Sequence, residues 1–285
     1  GRPIPPLDRD RLEQTVRREL DQDPHLGAAK DMYERILEAG GLPAQWARGE
    51  AIQLEADSIE ALRLRLADYV GANGKFTPFT NCLRLYLPLP ELKDLEVVDT
   101  PGINDPIPSR EKRTYRELHR CDAVFVVSPA GQFLNAQDLD LMDRLGQKEG
   151  VREVFLVASQ VDSQLFGSEQ RQSGGQLPAA LASLQQVLTQ QARQTLAAQR
   201  GDNPGVKQLL TGLKDRLAVT SSVAHALVVQ PESEWDSNTR HIWQMLGKGY
   251  PLAFATPQLA RENLPSLAGM ARTQRHLSRS ATFPR

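Results

Sequence analysis

Apolar residues recur about one helical turn apart over residues 8–70, and then at every second position or in short solid runs. In LDRDRLEQTVRREL, Leu12, Val16 and Leu20 share one face, with Asp8 placed to cap the helix. AAKDMYERILEAGG repeats that spacing and stops at a glycine pair, and DSIEALRLRLADYVGANG runs from Asp57, with Glu60 three residues on, to Gly71. From there NCLRLYLPLP (81–90) alternates like a half-exposed strand. LEVVDT (95–100), DAVFVVSP (122–129), EVFLVASQVD (153–162) and RLAVTSSVAHALVV (216–229) read as further strands, the last with a serine break. SREKRTYRELHRC, NAQDLDLMDRLGQKEG and LPAALASLQQVLTQQARQTLAAQR lie between them with helical spacing, and helix returns from about residue 236. Strands alternating with helices predict an α/β domain with a mostly parallel, helix-covered sheet.

Composition changes this picture little. At 285 residues, 40% apolar and 24% charged, the chain can bury a real core. A formal charge of −1 gives no global pull toward nucleic acid or anionic lipid, and no direct nucleic-acid binding is expected. The basic end ARTQRHLSRSATFPR reads either as a solvated terminus or as a tail for an anionic partner. Cys82 and Cys121 lie in or beside apolar runs and are expected as buried free thiols of a reducing compartment. The five histidines are scattered without metal-ligand spacing. No apolar run approaches the roughly 18 residues of a membrane helix. The opening GRPIPPLDRDRLEQ is polar and proline-rich, unlike a signal peptide, so a cytoplasmic location is expected.

Chemistry gathers at three predicted strand ends. Asp99-Thr100-Pro101-Gly102 closes an apolar run. In a nucleoside triphosphatase such an Asp holds Mg²⁺ through its water shell, and the Gly brings a backbone N–H to the γ-phosphate. The same four residues also suit a plain strand-to-loop turn. Ser159-Gln160-Val161-Asp162 stands where guanine-nucleotide proteins carry Asn/Thr-Lys-x-Asp, whose Asp accepts from guanine N1 and the 2-amino group. Here Gln replaces Lys, which leaves both an ATP-using site and a merely capping Asp open. Ser221 and Ser222, in VTSSVA, follow at the next strand end.

Taken together, LYLPLPELKDLEVVDTPGINDPI and CDAVFVVSPAGQFLNAQD resemble the GTPase domain of the dynamin superfamily, especially its bacterial members. The likeness covers roughly residues 76–230. It implies a P-loop nucleoside-triphosphatase fold, with residues 1–75 as a helical insertion and 231–285 as the start of a helical neck or stalk with a basic tail. By the resemblance Asp99, with Thr100, Pro101 and Gly102, serves Mg²⁺ and the γ-phosphate. Ser159, Gln160 and Asp162 serve the guanine, and Ser221 and Ser222 flank it. The resemblance further implies GTP and Mg²⁺ as ligands, a homodimer through the nucleotide face, and membrane association. The glutamine-rich helix over 178–200 shows no basic membrane face and is expected to pack in the domain.

A phosphate loop needs Gly-x-x-x-x-Gly-Lys-Ser/Thr between strand and helix. GANGKFTPF (71–79) has Gly74-Lys75 but Phe76 next and a helix before it, so it reads as a helix end and turn. GKGYP (247–251) fails likewise. Thr77 and Thr80 read as leading into a strand, with Pro78 holding the segment extended; a switch-threonine role is the alternative. The expectation is therefore a piece of a longer dynamin-like protein whose phosphate loop lies upstream. Its strand would sit between the LEVVDT and DAVFVV strands, and without it their buried edges would stay unpaired. A non-catalytic GTPase-like scaffold is the competing reading, and no residue stands out as a general base, Gln132 included.

Overall fold

The computed structural model describes residues 9–41, 51–71, 74–93, 95–100, 114, 116–118, 120–146, 153–198, 204–271 and 273–275. The chain divides into two compact units, residues 1–96 with 104–111 and residues 97–103 with 112–285.

The first unit is helical where it is regular. Helix α1 spans Arg9–Gln22, α2 Pro24–Glu38 and α3 Ile59–Val70. Asp23 caps α2 by accepting from the His25 N–H at 2.8 Å, and Pro24 fits the first turn, where no N–H is needed. The glycine pair ends α2 as expected, Gly40 and Gly41 taking φ of 76° and 84°. The cap of α3 is Ser58 rather than Asp57: its hydroxyl accepts from the Ala61 N–H at 3.1 Å. The proposed capping Asp8 lies outside the described residues.

After α3 the chain folds back, Phe76 N–H reaching Asp68 O at 2.7 Å. A Cβ at the buried Gly74 would lie 2.7 Å or less from two backbone oxygens, so only glycine fits this tight return. GANGKF is thus a helix-terminating turn. Thr77–Phe79 is a 3₁₀ turn, not the extended lead-in predicted around Pro78. The strand predicted over 81–90 is also absent. Residues 81–89 are irregular, with Tyr86 85% exposed. Alternation alone makes no strand without a ladder partner. Cys82 is consequently exposed, not buried, although it is a free thiol as expected.

The second unit holds a parallel sheet of β1 (Ala123–Pro129), β2 (Glu153–Ser159) and β3 (Leu217–Val219), in that order. Phe125 pairs with Phe155, and Leu156 with Leu217. Between β1 and β2 runs α4 (Ala136–Gly146). Between β2 and β3 come α5 (Ser168–Gln172), α6 (Leu177–Ala197), α7 (Pro204–Thr211) and α8 (Leu213–Arg216). Beyond β3 follow α9 (Ser222–Val229), α10 (Ser237–Gly249) and α11 (Pro257–Ala268). The α/β alternation read from the sequence forms from Ala123 onward.

Helix α6 buries Leu177, Ala180, Leu184, Leu188, Ala192 and Leu196, a single stripe at helical spacing, and so packs in the domain. Leu156, Leu165, Leu209, Leu213 and Leu217 join it in the core, and α10 and α11 add Leu246, Leu264 and Leu267. Each fully buried Leu contributes about 1.5–3 kcal/mol relative to exposure.

Two strand predictions need correction here. The run 216–229 splits: three residues form β3, and SVAHALVV is a helix because the Ser221 hydroxyl caps it. LEVVDT forms no strand, since residues 95–100 are irregular and Val97 is 62% exposed. Among the described residues no strand pairs with it, and β1 is bonded on its β2 side only. Cys121 is half-buried and forms no disulfide, its thiol 3.3 Å from Glu117 O. No helix among the described residues is long and apolar enough to cross a membrane.

Candidate functional site

In an open parallel sheet, ligands sit beyond the carboxyl ends of the strands, where the chain leaves each strand for the next helix. The second unit builds three such exits side by side.

The exit of β1 is tied by side-chain hydrogen bonds. Ser128 is fully buried, and its hydroxyl donates to Asp138 Oδ2 at 2.7 Å while accepting from the Leu134 N–H at 3.2 Å. Asp138 Oδ2 also accepts from the Asn135 N–H at 3.0 Å. Asn135 in turn caps α4, its Oδ1 accepting from the Gln137 and Asp138 N–H groups at 2.8 and 3.2 Å. This lock holds Leu134 at a φ of 54°, a left-handed value that costs a branched side chain energy. Gln132 stands exposed in the same loop.

At the exit of β2 the Ser159 hydroxyl donates across the sheet to Ser128 O at 3.3 Å. Gln160 then takes φ 56° and ψ 36°, and this left-handed step turns the chain into a 3₁₀ turn over Val161–Gln164. The turn places Asp162 inward. Asp162 is only 6% exposed, and its Oδ1 is buried with no hydrogen-bond partner among the described residues. An unpaired buried acceptor costs about 1–3 kcal/mol, more when it carries charge. Such a cost persists where a ligand donor satisfies it.

The exit of β3 closes beside this turn. Thr220 N–H donates to Ala158 O at 2.8 Å, and Val161 N–H to Thr220 O at 3.2 Å. Ser221 is fully buried and accepts from the Ala224 N–H at 3.0 Å, at the start of α9. Its hydroxyl oxygen is therefore engaged in capping. Ser222, next along, is exposed.

The fold thus brings together Ser159, Gln160, Asp162, Ser221 and Ser222 on adjoining strand exits. It does not add Asp99 or Thr100 by any described hydrogen bond. Asp99 is exposed and Thr100 half-buried in irregular chain, and Pro101 and Gly102 lie outside the described residues. No group of three or more His, Cys, Asp or Glu among the described residues could hold a metal ion. Thr77 and Thr80, in the first unit, spend their hydroxyls on the backbone, donating to Gly71 O at 2.9 Å and Phe76 O at 3.0 Å.

Sequence reasoning missed the Ser128–Asp138 lock. Its signal was present: a polar residue inside an otherwise apolar strand, followed by Asn-x-x-Asp at a helix start.

Comparison with known proteins gives a family match. The family model described as the dynamin family matches residues 17–161. The matched span includes much of the first helical segment and Asp99–Gly102, and it ends at Val161, beside Asp162. No curated protein and no solved structure gave a match.

Proposed function

The chain belongs to the dynamin family, and from that premise we propose that its second unit binds the base of a guanine nucleotide at the exits of β2 and β3. The family assignment makes the α/β fold that of a P-loop GTPase domain, and guanine-nucleotide binding goes with it. The finer claim is which residues do it.

The observation that carries this claim is the buried, unpartnered Oδ1 of Asp162. Guanine presents two adjacent donors, N1–H and the 2-amino group, which suit one carboxylate; adenine presents an acceptor at N1 and repels it. A water-excluded carboxylate discriminates strongly, because the wrong base leaves it unpaired. Gln160 lines the approach with an exposed, uncharged side chain, and Ser222 stands at the neighbouring exit. Asp99 would hold Mg²⁺ through water, with the Gly102 N–H at the γ-phosphate, and the ion would neutralise charge developing on the transferred phosphoryl group. Hydrolysis and dimerisation across the nucleotide face complete the proposal.

Titration of the intact protein with a fluorescent GDP analogue tests it. Asp162→Ala should weaken GDP binding roughly tenfold to a hundredfold, the worth of hydrogen bonds to a buried charge. GDP binding unchanged in that variant, or displacement by ADP as effective as by GDP, overturns the reading.

Gln160 at the position of the usual Lys favours a second reading, a GTPase-like module that binds nucleotide without turning it over. Phosphate release from GTP separates the two: binding without release supports the module.

A further inference from the structure

Both loops that form the candidate base site are held from behind by the carboxyl ends of α10 and α11. We infer that Tyr250 and Gly269 are positioning residues for guanine recognition, acting through the Asp162 turn rather than by touching the nucleotide. The inference rests on the guanine reading of Asp162 given above.

Tyr250 follows α10 directly and is fully buried. Its hydroxyl donates to the carbonyl of Leu165. Leu165 N–H in turn donates to the Asp162 carbonyl at 3.3 Å, closing the turn that carries the carboxylate. The Tyr250 ring packs against Phe166, with centroids 6.5 Å apart, so the residue after Leu165 is held as well. Burial and, next, the nearby Glu169 carboxylate push the Tyr250 phenol above its ordinary value, so it stays a proton donor at any physiological pH.

Gly269 works on the other loop. It ends α11 in a left-handed conformation, φ 67°, and lies so close to β3 that an added Cβ would stand 1.9 Å from Val219 O. The residue before it, Ala268, accepts the Ser221 N–H at 3.3 Å. Pressure there reaches Asp162 by one further step, because the Thr220 carbonyl accepts the Val161 N–H at 3.2 Å. The close approach and the buried hydroxyl thus fix the two ends of one short turn. That turn contains the unpaired acceptor. General packing would not need both contacts to converge on it.

The test compares GDP with IDP, which lacks the 2-amino group, in the intact protein. Tyr250→Phe removes one oxygen, and Gly269→Ala adds one carbon. Tyr250→Phe should lower GDP affinity roughly three- to tenfold and shrink the GDP-over-IDP preference in step. Gly269→Ala should do the same to a larger degree, because the chain at Val219–Thr220 must move. If that variant does not fold, Tyr250→Phe decides alone. A preference left unchanged, with or without an equal loss for both nucleotides, overturns the positioning role and leaves the guanine reading intact. Failure of the wild-type protein to bind GDP overturns both.

Discussion

The two units use similar proportions of apolar sequence to opposite effect. In the first, Leu66 is the single buried apolar side chain among the described residues, while Leu12, Leu26, Tyr33, Leu37 and Leu64 are all more than 40% exposed. In the second, apolar side chains from every helix and strand except short α5 converge on one core. Helix spacing is as regular in α1 and α2 as in α6. What differs is the sheet: three parallel strands give α6 a surface to bury its stripe against, and no strand is among the described residues of the first unit. Amphipathic spacing specifies a helix, then, but stability comes from the partner.

The largest effect that would break this contrast concerns Arg216. Its guanidinium lies 3.2 Å from Glu153 Oε1, with both side chains largely buried, at the amino-terminal end of β2. Arg216→Ala strands a buried carboxylate and should cost about 3–5 kcal/mol in denaturant unfolding of the second unit. The first unit's counterpart, Asp31–Arg35 at 2.9 Å, is a surface pair, and Asp31→Ala should cost about 0.5 kcal/mol or less. Equal losses would refute the contrast.

Next in size, Leu156→Ala at a fully buried strand position should cost about 2–5 kcal/mol, against about 0.5 kcal/mol or less for Leu64→Ala on α3, which is 72% exposed. Smaller again are the helix caps. Ser221→Ala, at a buried cap, should cost toward ~2 kcal/mol, whereas Ser58→Ala, at an exposed one, should cost nearer ~0.5 kcal/mol. The smallest effect appears only in alkali. Because the Tyr250 phenol is raised from 10.0, its contribution is complete below that pH and is lost as pH rises through the folded value. Alkaline unfolding of wild type should therefore be steeper than that of Tyr250→Phe, and identical pH curves would show the phenol to be unperturbed.

Much of this was written in the sequence where the residues act locally. The solid apolar runs of β1 and β2, the stripe of α6 and the strand-end positions of Ser159, Gln160, Asp162 and Ser221 depend on neighbours close in the chain. The failures share a cause. NCLRLYLPLP and LEVVDT carry strand-like residues, but a strand is completed by a partner, and none is bonded to them among the described residues. SVAHALVV is β-branched enough to suggest a strand, yet one serine hydroxyl starts a helix there. Tyr250 was invisible because its partner, Leu165, lies 85 positions away. Pro101 and Gly102 lie outside the described residues, so half of the Asp99 motif is not placed.

The parallel register has one more consequence, in time rather than in energy. Strand β2 meets β3 only after α5 to α8 have been made, because Leu156 pairs with Leu217. Closing so long a loop must precede any gain from the pairing, which slows folding. The α1–α2 region needs only local contacts and can form within about a microsecond. As the chain emerges during synthesis, α1 and α2 precede the sheet, and β2 waits with an unoccupied edge until β3 arrives.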